Sequence, residues 1–165
     1  MPVVLARIDD RLIHGQVTAG WSPRVRPTHI ILASNDVASD PWQSRVYASS
    51  VPPGIKTSVL SIAGAAAALS KGDCGEGRAI LLTASPGEMA ELVRLGAPLA
   101  KINLGGVHYK AGRIEMLSWV YVDAQDLVAL RRLLEAGVEI SAQQVPGGRE
   151  VEIDEGLLAK TEGRL

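Results

Sequence analysis

The segment Asp9-Asp10-Arg11-Leu12-Ile13-His14-Gly15-Gln16 gathers two carboxylates, a guanidinium, an imidazole and a glycine within a few positions. A neutral imidazole attacks through one ring nitrogen while the other keeps its proton, and a carboxylate can fix which nitrogen does which. Placed beside Arg11 and at a helix N-terminus, His14 could therefore act as a nucleophile toward an anion. A phosphoryl group on it would meet backbone amides and the positive end of the helix dipole, with the Arg11 fork to neutralise its oxygens. Asp9 or Asp10 would hold Arg11 or orient the ring. The plainer alternative is that His14 caps or packs at a helix start and the acids pair with Arg7 and Arg11 at the surface.

Other polar residues carry less. His29 opens an apparent strand and reads as a packed or edge histidine. His108 follows Gly105-Gly106 and either faces the same pocket or sits free on the surface. The two glycines form a tight turn or let the backbone approach an anion closely. Ser85 reads as a helix cap. Neither a dinucleotide-binding glycine fingerprint nor a phosphate-binding P-loop follows any strand, and the three histidines and one cysteine lack zinc-ligand spacing. Nothing calls for a metal or an organic cofactor.

The elements that must position these residues alternate short apolar runs with helical stretches, the pattern of a parallel sheet covered by helices. Val3–Ile8, His29–Ala33, Lys56–Leu60, Ala79–Thr83 and Lys101–Leu104 are the candidate strands. Most are continuously apolar, as strands buried on both faces are. Asp40-Pro41 opens a helix to about Ser49, Ile62–Lys71 is a second, and Ser85-Pro86-Gly87-Glu88 caps a third that stops at Gly96. Tyr109–Asp123 breaks the rhythm and reads as a hairpin or an added edge strand. Asp123 then caps an amphipathic helix with Leu127, Leu130, Leu133 and Leu134 on one side. Val138–Val145 returns as a last strand, and a short helix falls near Asp154–Thr161. The expected fold is a single-domain open α/β sheet over residues 1–165, mostly parallel, with helices on both faces and one antiparallel edge strand or hairpin. In such a sheet ligands gather at the carboxyl ends of the strands, where the Asp9–Gln16 loop, Ser34-Asn35-Asp36, Thr83-Ala84-Ser85 and Gly105–His108 all lie. Leu12, Ile13, Val17 and Trp21 belong either to the core or to a docking surface around His14, core packing being favoured for Leu12 and Val17. An exposed edge near Trp119–Val122 would permit a homodimer.

Composition narrows the classes. At 165 residues and 47% hydrophobic, the chain suits one domain with its own core. With no Phe and only three Trp and three Tyr, that core must be built from Val, Ile, Leu and Ala. The longest uncharged stretch, Thr57–Ser70, falls short of the about 20 residues a membrane span needs. The opening residues lack the basic leader of a secretory signal, and the lone Cys74 has no internal disulfide partner, so a cytoplasmic protein is expected. The net charge of -1 speaks against nucleic acid. It also hides a division: residues 1–114 carry 12 basic and 8 acidic side chains, residues 115–165 carry 5 and 10. The positive part holds the His14 loop and suits an anion.

Arg7-Ile8-Asp9-Asp10-Arg11-Leu12-Ile13-His14-Gly15-Gln16-Val17 resembles the signature of the B subunit of mannose/fructose/sorbose-type enzyme II of the bacterial sugar phosphotransferase system. The likeness continues through Ile30–Ala38, Pro52-Pro53-Gly54, Asn103-Leu104-Gly105-Gly106 with Gly112-Arg113, Val120–Asp123 and Gly137–Ile140. It departs at Val107-His108-Tyr109, where family members often carry Met, and at the variable Cys74–Gly77 connection.

The resemblance implies a cytoplasmic α/β protein, peripherally associated with a membrane transporter, whose first-loop histidine, here His14, takes a phosphoryl group from the A subunit. The group then passes to a sugar entering through the membrane C and D subunits. This is the activity of a protein-Npi-phosphohistidine–sugar phosphotransferase. Asp10, Arg11, Gly15, Gln16, Gly105 and Gly106 are the positions expected to bind or orient the phosphoryl group around His14. Two other readings stay open: an orphan or regulatory phosphocarrier using the same histidine, and a non-catalytic module that binds an anion.

Overall fold

The structure, a computed structural model, describes every residue except Asp73 and Cys74; the expectations placed on Cys74 lie outside the described residues. Strands β1 (Val3–Ile8), β2 (His29–Ala33), β3 (Lys56–Leu60), β4 (Ala79–Thr83) and β5 (Lys101–Leu104) have the bounds their apolar runs predict. After β5 come a hairpin, β6 (Ile114–Leu117) and β7 (Val120–Val122), then β8 (Glu139–Gln143) and β9 (Glu150–Glu152). The main sheet has the order β3-β2-β4-β1-β5-β8-β9. All its pairings are parallel except β8 with β9.

Both faces of the sheet are covered, which explains why the strand sequences do not alternate with polar residues. Ile31 and Ala33 of β2 point into one apolar cluster, with α4 (Ile62–Lys71), α5 (Pro86–Arg94), α6 (Ala124–Glu135) and α7 (Glu155–Glu162) packed over it. Ile30 and Leu32 point the other way, into a cluster built with Leu12, Ile13, Val17 and Val37. That second face carries a π-helical segment, Gln16–Trp21, running into α1 (Ser22–Val25), together with α2 (Asn35–Ser39) and α3 (Pro41–Ser49).

The helix starts follow their caps. Asp40 accepts from the Trp42 and Gln43 amides, and Ser85 Oγ accepts from the Glu88 amide while Glu88 Oε2 accepts from Ala84 N, so Ser85 is a cap. Asp123 and Asp126 form a reciprocal capping box on α6.

Three features differ from the sequence expectation. Residues 35–39 form α2 rather than a loop, because Ser34 Oγ accepts from Val37 N and Asn35 Oδ1 accepts from Ile62 N, tying the segment to α4. The last β-strand is shorter than Val138–Val145 and gains an antiparallel partner, β9, too short to carry a pattern of its own. The hairpin around Tyr109–Asp123 exists but offers no free edge at Trp119–Val122. β7 pairs with β6 on one side and is bridged to Val107 on the other, through Val107 N to Trp119 O and Tyr121 N to Val107 O. The sheet's edges are β3 and β9. No helix among the described residues is long and apolar enough to cross a membrane.

Candidate functional site

The carboxyl end of β1 lies at a topological switch: β1 sits between β4 and β5, and its following helix covers the opposite face from α5 and α6. Loops that leave in opposite directions open a crevice there. The chain exploits both neighbours in turn. Asp9 N donates to Thr83 O at the end of β4, and Asp10 N donates to Gly106 O beyond β5, each at 2.9 Å. The chain then turns sharply: Leu12 N returns to Asp9 O and Leu12 takes a left-handed φ of 58°. A branched residue pays a steric cost there, and burial of Leu12 and Ile13 at 5% exposure each holds it in place. Val17 and Trp21 are buried as well, so all four residues belong to the core and not to a docking face.

The turn delivers His14 over a buried charge cluster. Asp9, wholly buried, is its centre. Its Oδ2 lies 3.2 Å from His14 Nε2, 3.0 Å from Arg7 Nη2 and 3.2 Å from Arg11 Nη2. The same oxygen accepts from Gly106 N at 3.3 Å, while Oδ1 accepts from Arg11 N and Arg11 Nε. The His14 contact is close but off the N–H axis, so it acts mainly as an ion–dipole attraction. On the other side of the ring, Gln16 N donates to His14 Nδ1 at 3.2 Å. Burial alone would push the Asp9 carboxyl up, but the close His14 ring, the hydrogen bonds from Arg11 and the charge of Arg7 hold it far below the usual carboxylate range. Asp9 is therefore an anion at every working pH.

Beneath Asp9, Arg7 is a guanidinium with no exposed surface. It donates to the Asn103 side chain, to Gln143 O at 2.9 Å and to Gln144 O at 3.0 Å, and its Cζ lies 5.0 Å from the Trp21 ring centre. Burial pulls its pKa down while Asp9 pushes it up; an arginine stays charged through such a contest. With Arg7 and Arg11 against one Asp9, the site keeps an excess positive charge.

The expected site residues divide as follows. Arg11 pairs with Asp9 and leaves part of its guanidinium in solvent, and Gln16 contributes its backbone N–H to the ring. Gly106 joins through its amide. Gly105 makes its close approach to Arg7 rather than to the crevice: a Cβ there would sit 2.8 Å from Arg7 Nε and closer still to Cζ and Nη2. Gly15 has open space around it and meets no packing demand. Asp10 turns away from His14, its carboxylate taken up by the amide and ring of His108. Of the two acids, it is Asp9 that holds both Arg11 and the imidazole. The local motif left Arg7 pairing with the acids at the surface, Trp21 between core and docking face, and Asn103 without a role in the site, yet a charged residue inside an otherwise apolar central strand is a usable signal for a buried Arg7. His29 lies at the opposite rim, where β2 begins.

The comparisons with known proteins bear on this arrangement. The model of the sorbose subfamily IIB component of the phosphotransferase system matches residues 3–164. The chain belongs to that family. It is 35% identical over 145 residues to the sorbose-specific EIIB component of Lacticaseibacillus casei, covering 88% of each chain. It is 33% identical to the fructose-specific EIIB component of Bacillus subtilis, covering 88% of this chain and 90% of that one. Among solved structures, the IIBSor domain of the sorbose permease from Klebsiella pneumoniae aligns with a TM-score of 0.89 at 33% identity over 98% of both chains. IIB components are phosphotransferases of sugar transport, passing a phosphoryl group from the A component to sugar alongside the membrane components.

Proposed function

We propose that His14 is the residue of this IIB component that carries the phosphoryl group, and that it does so on Nδ1. The observation that carries the assignment is the hydrogen bond from Gln16 N to Nδ1, which selects the tautomer. Nδ1 accepts the Gln16 N–H, so it holds the lone pair, and Nε2 keeps its proton toward Asp9. Attack by Nδ1 on the A component's phosphohistidine leaves the His14 ring cationic, with a phosphoryl group on one nitrogen and a proton on the other. Asp9 faces that proton and stabilises the cation. In the next transfer the same proton makes the ring a good leaving group, because it departs as neutral imidazole. Arg11, half in solvent, and the Gln16 amide, freed once Nδ1 bonds phosphorus, are the donors for the phosphoryl oxygens. The step is positioning and charge stabilisation, as expected for a loose, in-line phosphoryl transfer.

On this reading the protein is a protein-Npi-phosphohistidine–sugar phosphotransferase that works in the cytoplasm against its membrane C and D components. The test is a phosphorelay: phosphoenolpyruvate, the general phosphocarrier enzymes and a matching A component, followed by mapping of an acid-labile phosphate. The expected label sits on His14. Label retained by a His14→Ala variant refutes the assignment.

A further inference from the structure

Phosphoryl transfer to His14 and away from it differ in one proton. Between two imidazoles the attacking Nδ1 uses a lone pair and gives up no proton. A sugar hydroxyl must lose one as its oxygen bonds phosphorus, and in an in-line transfer the departing Nδ1 lies across phosphorus from that oxygen, out of reach of the proton. The Asp9 carboxylate is saturated by Arg7, Arg11 and Gly106. A base for the hydroxyl must come from elsewhere on the rim.

His108 has the required form. Asp10 grips it at two points, Oδ2 accepting from His108 N at 2.7 Å and Oδ1 lying 2.6 Å from His108 Nδ1. A carboxylate only accepts, so Nδ1 carries the proton and Nε2 is left with the lone pair. Nε2 makes no hydrogen bond among the described residues, and the side chain is 63% exposed. The remaining group facing it is Arg113, which donates to the His108 carbonyl at 3.1 Å and fixes the loop from the α6 side through Asp126. The two imidazoles are built into one frame. Asp9 faces His14 and binds the Gly106 amide, Asp10 N binds Gly106 O, and the Asp10 carboxylate holds His108. Adjacent carboxylates thus each orient one ring on the same rim.

We infer that His108 is the general base for the hydroxyl acceptor, a catalytic residue of the sugar step alone. As the P–Nδ1 bond of phospho-His14 breaks with its electron pair going to Nδ1, the sugar oxygen bonds phosphorus. The hydroxyl proton goes to His108 Nε2, and Asp10 stabilises the imidazolium that forms. The inference rests on His14 as the phosphoryl carrier.

The experiment separates the two steps. Wild type, His108→Gln, His108→Ala and Asp10→Asn are first loaded with labelled phosphoryl from the A component. The purified phosphoproteins are then mixed with vesicles holding the C and D components and L-sorbose, D-fructose or D-mannose. Loading is expected to match wild type in all three variants. Label transfer to sugar should fall about 100-fold in both His108 variants, within the range that general-base catalysis contributes, and free imidazole should restore it to His108→Ala. Asp10→Asn should slow transfer less. Equal slowing of loading and transfer, no slowing, or slowing without imidazole rescue would each overturn the role. Wild type that loads yet labels none of the three sugars overturns it too, since no hydroxyl is then served, while His14 loading stands. Absence of label on wild type overturns the carrier assignment itself.

Discussion

Replacing Gly105 by alanine tests whether the buried Arg7 determines the geometry of the site. The added Cβ would lie 2.8 Å from Arg7 Nε and nearer to Cζ and Nη2. Ordinary contact needs about 3.4 Å or more, so the guanidinium must move by on the order of 1 Å. It cannot do so while holding Asn103, Gln143 O, Gln144 O and Asp9 together. Bonds to a charged group contribute about 1.5–3 kcal/mol each, and loss of two of them predicts a destabilisation of roughly 3–6 kcal/mol. For a domain of this size that corresponds to a fall in Tm of roughly 10–20 °C. The control is Gly106→Ala, buried as well, whose Cβ would meet only the far end of Arg11 at 3.4 Å and Asp9 at 3.6 Å; at such ordinary van der Waals distances its cost is expected below about 1 kcal/mol. Urea denaturation of both variants, with phosphoryl loading measured on the folded fraction, decides the matter. Gly105→Ala should also load slowly, because Arg7 carries Asp9 with it. Equal stability of the two glycine variants would refute the view that Arg7 is rigidly seated.

Arg11→Ala should lower the urea midpoint, since buried Asp9 loses two hydrogen bonds, and slow loading of His14 on the folded protein by roughly 100-fold as a phosphoryl-oxygen donor is lost; an unchanged rate removes Arg11 from the mechanism. Asp9 has its pKa depressed in the folded protein, so it contributes stability that is fully present above its ordinary value near pH 4 and is lost as pH falls through the lower folded value. Urea midpoints measured from pH 5 to pH 2 should therefore drop more steeply in wild type than in Asp9→Asn, and parallel curves would contradict the charge cluster. Glu88 has the opposite sign: burial raises its pKa, so its contribution is present below its ordinary value and lost as pH rises through the folded one. Glu88→Gln, which keeps an acceptor for Ala84 N, should be more stable than wild type at pH 7 and lose that advantage at pH 4.

What could be read from the residues alone followed burial. β1 to β5 were legible to the residue because most are continuous apolar runs ended by a polar or glycine-rich loop, and a strand buried on both faces admits little else; the edge strand β3, with Lys56, Thr57 and Ser58, was bounded by its turn residues instead. α3, α5 and α6 were legible because Asp40, Ser85 and Asp123 announce their starts. α2 and β9 were not, since what orders them is remote: Asn35 reaches the first amide of α4 and β9 leans on β8. At the site, the local motif identified the histidine and Arg11 but could not apportion two adjacent acids. Asp9 and Asp10 are alike in sequence, and only the partners brought by β4 and β5 distinguish them. The third dimension also supplied Arg7's role, whose partners lie 96 and 136 positions away in Asn103 and Gln143.

A buried arginine at the centre of a sheet is an expensive way to hold a carboxylate, and apolar side chains of similar volume would serve stability as well or better. Its presence is intelligible through what the Asp9 anion must do. An aspartate under an imidazole in a dry pocket would protonate and stop orienting the ring; Arg7 below and Arg11 beside it keep it ionised. An exposed carboxylate would stay ionised without help, but solvent would then screen its effect on the ring. Seating Asp9 at zero exposure and compensating it from beneath gives a fixed negative charge in a low dielectric, facing one nitrogen of His14 only. The ring is then held in a single tautomer with the nucleophilic nitrogen outward. The buried pair thus acts through the orientation of His14, which is why its disturbance through Gly105 should reach the chemistry as well as the fold.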